Sequence, residues 1–137
     1  MSWQAKQQIP WPIGGQSLAS GASVTGDAIV GSPVVVGKGL MAVVLTVTGY
    51  SGGSGFDLIN LRIQANSRAA ATTWYDIGEV TFGDATAIGE ARTSADAIVI
   101  PVLNESDYQI RLFSYIQGSA TAATVTADVY PIPTKNG

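Results

Sequence analysis

Apolar and polar residues alternate with a period of two along most of this chain, and that spacing suits strands with one buried face rather than helices. The last third carries the clearest instance. In Asp107–Ile116, Tyr108, Ile110, Leu112 and Ile116 occupy one parity and Gln109 and Arg111 the other; in Thr124–Tyr130, Val125, Ala127 and Val129 alternate with Thr124, Thr126 and Asp128. The reading is two paired strands joined by a turn at Gly118-Ser-Ala-Thr121. Upstream, Met41, Val43, Leu45 and Val47 share a face opposite Ala42, Thr46 and Thr48. Ile59, Leu61, Ile63 and Ala65 repeat the pattern inward against Asn60, Arg62 and Gln64. The Gly-rich run Gly49–Gly55 between these two strands reads as a hairpin loop able to reach a partner.

Other segments are weaker. Asn66–Thr73 holds three consecutive alanines and reads as a loop, or at most one helical turn. In Trp74–Phe82 the apolar parity switches across Gly78, which predicts a bulge or bend there. Ala97–Leu103 keeps Ile98, Ile100 and Val102 in phase, and Pro101, unable to donate to a ladder, predicts an edge strand. With weaker strands over 22–30 and 33–36, seven to nine strands and no helix make the chain all-β: a single-domain antiparallel β-sandwich or jelly roll. At 137 residues there is room for one core and no internal domain boundary.

Residues 1–16 read as an extended arm ahead of a β-sandwich domain over 17–137. In Ile9-Pro-Trp-Pro-Ile13 each proline fixes its own φ and pushes its predecessor away from the helical region. Trp3 and Trp11 either fold back onto the chain's own sheet or dock on a neighbour, where Trp is a common anchor. The candidate partner-binding residues are therefore Trp3, Ile9, Pro10, Trp11, Pro12 and Ile13, with loop contacts at Tyr50, Ser51, Gly52 and Gly53.

The chemistry is sparse. The chain has no His and no Cys, which removes the commonest general base, the commonest metal ligand and the thiolate nucleophile. No Ser-x-x-Lys spacing occurs. Asp76 with Glu79 and Asp84 with Glu90 are the candidate carboxylate pairs, but two-carboxylate hydrolysis also needs a substrate cleft. Asp84, Glu90 and Asp96 match no calcium-loop spacing and read as solvated turn carboxylates. The expectation is therefore no enzyme, no metal and no cofactor. Arg111 reads as a cross-strand partner for Asp128 or Glu79. Trp74, Tyr75, Tyr50, Tyr115 and Tyr130 read as packing residues, with a sugar-stacking platform as the alternative.

Charged residues make up 12% of the chain, about half of the ~25% usual for a globular protein. A surface so poor in charge suits a protein partly covered by neighbours, and self-association is expected, most simply as a trimer. Seven basic against ten acidic residues give no electrostatic basis for nucleic-acid binding. No apolar run approaches the ~20 residues of a membrane span, and residues 1–8 lack the apolar stretch of a secretory signal, so a protein soluble as synthesised is expected.

Three segments within residues 57–130 carry a resemblance: Trp74-Tyr-Asp-Ile-Gly78 after a Ser/Thr-rich loop, Tyr108-x-Ile-Arg-Leu112, and Gly-Ser-x-Thr-x-x-x-Val-x-Ala-x-Val over 118–129. Together they resemble small all-β virion proteins of tailed bacteriophages, in particular head decoration or cement proteins. The resemblance implies a non-enzymatic protein made in the host cytoplasm that binds the major capsid protein on the capsid exterior, often as a homotrimer, and reinforces the shell. A tail or fibre β-module and a carbohydrate-binding, lectin-like module are the alternatives.

Overall fold

The computed structural model describes residues 15–51, 57–83, 95–118 and 121–132. Among these residues there are eight strands and no helix: β1 (Gln16–Val24), β2 (Ala28–Val35), β3 (Gly39–Ser51), β4 (Leu58–Ser67), β5 (Ala70–Gly83), β6 (Ala95–Asn104), β7 (Gln109–Gln117) and β8 (Ala122–Pro131). They form two four-stranded antiparallel sheets of order β1-β8-β3-β6 and β2-β7-β4-β5. Successive strands change sheet at every connection except β4 to β5. This winding of eight strands through two facing sheets is that of a jelly roll.

The alternation in the sequence places the core between the sheets. Met41, Val43, Leu45 and Val47 of β3 and Val125, Ala127 and Val129 of β8 face Ile59, Leu61, Ile63 and Ala65 of β4 and Ile110 and Leu112 of β7, all of them buried. Phe82 on β5, Val102 on β6, Leu18 on β1 and Val30 on β2 complete the layer. A one-residue slip of β3 would turn its four inward side chains outward. At about 1.5–3 kcal/mol per side chain, that loses roughly 6–12 kcal/mol, comparable to the entire ~5–15 kcal/mol net stability of a domain. Side-chain period therefore locks register.

Several expectations change. The segments 107–116 and 124–130 are strands, but they do not pair: β7 lies between β2 and β4, and β8 between β1 and β3. β7 and β8 belong to different sheets, as do β3 and β4, so neither pair is a hairpin. Periodicity reports which face is buried and is silent on the partner, and four residues at ~3.3 Å each cross the ~10 Å between sheets as readily as they turn a hairpin. Asn66–Thr73 is mostly strand: β4 runs to Ser67 and β5 starts at Ala70, so Ala70 and Ala71 lie in β5 and only Arg68 and Ala69 form the turn. The stretch 22–30 is the end of β1, a turn and the start of β2, and 33–35 belong to the same β2.

The bulge predicted near Gly78 is present. Ile63 pairs with Gly78 and Gln64 with Asp76, leaving Ile77 as the extra residue. A β-carbon at Gly78 would lie 2.8 Å from Val102 Cγ1 across the core, so the opposite sheet leaves room for nothing larger. β6 is an edge strand, as Pro101 predicts. In β2, Val30 pairs with Leu112 and Val34 with Ile110, so three residues, Gly31 to Pro33, bow out opposite Arg111. Gly31 has φ +78°, and a β-carbon on it would overlap the Leu18 carbonyl oxygen of β1. Here the two sheets are joined backbone to backbone.

Candidate functional site

The outer face of β2-β7-β4-β5 carries three cross-strand rows: Tyr115–Asn60–Thr81, Phe113–Arg62–Glu79 and Arg111–Gln64–Asp76. Each member is placed there by the same alternation that sends its neighbours into the core. Arg62 donates from Nη1 to Asp76 Oδ2 at 2.9 Å and from Nε to Asn60 Oδ1 at 2.6 Å. Glu79 lies 3.9 Å from its Nε, and its guanidinium sits 4.4 Å from the centre of the Tyr115 ring. Gln64 donates from Nε2 to Asp76 Oδ1 at 2.9 Å and accepts from Arg111 Nε at 2.9 Å. The Arg111 guanidinium covers Trp74 at 4.1 Å and Phe113 at 4.9 Å, and Phe113 packs on Tyr115 at 5.0 Å.

The arrangement is a stack of alternating rings and guanidinium planes, held at fixed positions by a chain of amides and carboxylates. Arg–aromatic contacts of this kind contribute about 0.5–1 kcal/mol each where exposed and more when desolvated. Burial lowers the Arg111 pKa from its ordinary value, with electrostatic attraction to Tyr115 acting in the opposite direction. Such a group gains from any partner that supplies a carboxylate or a further π-face. Because guanidinium planes already cover one face of Trp74, Tyr115 and, through Arg68 at 4.6 Å, Tyr108, the rings offer a sugar less stacking surface than a bare aromatic row.

Arg111 thus meets Gln64, Trp74 and Phe113 instead of the expected Asp128 or Glu79. Asp128 belongs to the other sheet, and Glu79 lies beside Arg62 and Asn60. The carboxylate pair Asp76 and Glu79 comes together only around Arg62. Phe113 joins the aromatic group, and its shared parity with Arg111 and Tyr115 is the sequence signal for it. Tyr50 is half-buried against the core and its hydroxyl donates to the Asp57 carbonyl at 2.9 Å, tying the end of β3 to the residue before β4. Ser51 is exposed and pairs with Ala122 at the end of β3. Trp3, Ile9, Pro10, Trp11, Pro12, Ile13, Gly52 and Gly53 lie outside the described residues, as do Asp84 and Glu90. Asp96 falls in β6. Among the described residues no three His, Cys, Asp or Glu side chains converge as a metal site.

The outer face of the other sheet is chemically different. Along β3 and β6 the outward rows are Leu40–Leu103, Ala42–Pro101 and Val44–Val99, without a polar side chain among them. Val99 is 60% exposed, Leu103 56% and Leu40 41%. The signal for it was present in the sequence: both parities of β3 and β6 are apolar over these stretches. Among known proteins, no family model matches this chain and no curated protein is significantly similar to it.

Proposed function

We propose that this is a non-enzymatic virion structural protein that docks on the outside of a phage capsid and stabilises it, using the ring-and-guanidinium face of β2-β7-β4-β5 to grip the major capsid protein. The observation that carries this reading is the composition and rigidity of that face. Trp, Tyr and Arg are the residue types enriched in interface hot spots. Here Trp74, Tyr115, Arg62 and Arg111 are held in one network before any partner arrives, which lowers the ordering cost of association. The low charge of the chain and the resemblance of its 57–130 segment to decoration proteins support the same reading, and the jelly-roll winding is common in viral capsid domains.

In this proposal the protein acts as a homotrimer on the particle. The test is retention on purified capsids. A hot-spot truncation costs about 2 kcal/mol or more, so Trp74→Ala or Arg111→Ala should lower capsid affinity roughly 30-fold or more, while Thr124→Ala on the opposite sheet should not. Sedimentation of the free and capsid-eluted protein reads the trimer. Unchanged capsid retention in both variants would remove the assignment of this face. Saturable binding to a glycan with no binding to capsids would replace it with the lectin-like alternative.

A further inference from the structure

The apolar outer face of β3 and β6 calls for an occupant, and the chain supplies one. We infer that residues 9–13 of the same chain, Ile-Pro-Trp-Pro-Ile, lie across this face with Trp11 seated on the Leu40–Leu103 and Val44–Val99 rows. The inference is independent of the capsid reading, which concerns the other sheet.

The first argument is the point of departure. Gly15, the first described residue, has φ +78°, and a β-carbon there would come within 2.9 Å of Tyr130 Cδ2 and Cε2 and 2.7 Å of the Val129 carbonyl oxygen. The backbone is therefore pressed against the Tyr130 ring. Tyr130 has the outward parity of β8: it pairs with Ala42, and Ala42 pairs on its other side with Pro101. The chain thus leaves β1 on the row that leads across the sheet to the middle of the apolar patch.

The second argument is reach. Gly15 leads into β1, so the seam between β3 and β6 lies two and a half strand spacings away, about 12 Å. Trp11 lies four residues before Gly15 and so up to ~13–14 Å away along an extended chain. The span fits without slack for a long detour.

The third argument is chemistry. Residues 7–14 carry no charge, matching the β3–β6 rows themselves, which carry none and are bordered by Asp128 of β8 beside Val44. Pro10 and Pro12 lack amide protons, so this segment brings fewer donors in need of partners to an apolar face. The same prolines hold the segment extended before it docks, which reduces the entropy lost on docking. Val99, Leu103 and Leu40, left open, would add to an exposed apolar patch of the kind that marks an interaction site.

The test uses the full chain. With Trp3→Phe and Trp74→Phe, Trp11 becomes the sole tryptophan. Its emission should be blue-shifted and shielded from acrylamide at every protein concentration from nanomolar to tens of micromolar, and adding Val99→Lys with Leu103→Lys should abolish the shielding without changing the far-ultraviolet circular dichroism. Quencher-accessible Trp11 in the parent overturns the inference. So does shielding lost on dilution, which assigns the face to a second copy's arm, or shielding untouched by the two lysines, which places Trp11 elsewhere. A cysteine pair keeps the question decidable if a tryptophan variant fails to fold. The chain has no cysteine, and Pro12→Cys with Pro101→Cys should close an intrachain disulfide under mild oxidation, whereas Pro12→Cys with Thr81→Cys on the other sheet should not. A bridge only between chains, or none, contradicts the inference.

Discussion

Replacing Gly31 by alanine should be among the most damaging single-methyl additions this fold can suffer, and the reason is separable into two parts. Gly31 has φ +78°, where an L-residue with a β-carbon pays roughly 1–2 kcal/mol. Gly21 has φ +59° and bears the same class of conformational cost, but a β-carbon there meets nothing within 4 Å. At Gly31 the added carbon overlaps the Leu18 carbonyl oxygen and lies 2.8 Å from Ala19 Cα. The obstacle is backbone, not the tip of a side chain, so relief requires moving β1 away from β2. Leu18 and Ala19 are both buried in the core, and displacement of a packed core typically costs about 1–3 kcal/mol or more. The expected loss is therefore ~1–2 kcal/mol for Gly21→Ala and ~2–5 kcal/mol for Gly31→Ala. For a domain of this size 1 kcal/mol corresponds to roughly 3–5 °C in Tm, so the backbone clash should separate the two variants in calorimetry by about 3–15 °C. Equal Tm shifts would refute the claim that the sheets meet backbone to backbone at Gly31.

Asn66→Ala should cost roughly 2–4 kcal/mol in urea unfolding: Asn66 is fully buried, donates to the Ala71 carbonyl at 2.8 Å and to Gln109 Oε1 at 3.1 Å, and accepts from Gln109 N at 2.9 Å, so its removal leaves buried partners unmet. Chelation of divalent ions should leave Tm unchanged; a marked drop would reopen the Asp84, Glu90 and Asp96 segment as a calcium site.

Strand identity was legible because one face of each strand is buried, and that is the property a period of two records. Strand partnership was not. Gly118–Thr121 has the length and composition of a hairpin turn, and only the placement of β8 between β1 and β3 shows that β7 and β8 do not pair. The Ala69-Ala70-Ala71 stretch was opaque for a different reason: alanine has little preference for strands, so the pairing with β4 draws Ala70 and Ala71 into β5 while Ala69 falls in the turn. At the ring-and-guanidinium face, Arg62, Gln64 and Arg111 were readable as outward residues, but their partners were not. Asp76 reaches Gln64 only because the bulge at Ile77 shifts the ladder by one. The apolar outer face of β3 and β6 was written plainly, as strands apolar on both parities.

The strand order β1-β8-β3-β6 also dictates when this protein can exist during its own synthesis. Among the described residues β1 has no neighbour in its sheet except β8, and β3 lacks one of its two until β8 appears. Both partnerships wait until β8, Ala122–Pro131, has emerged from the ribosome. Until then β1 and β3 hold unpaired edges and apolar faces in the open. Nascent chains stalled before Ala122 should be substrates for chaperones or for aggregation, and loop-closure entropy of this kind places the molecule among slow folders.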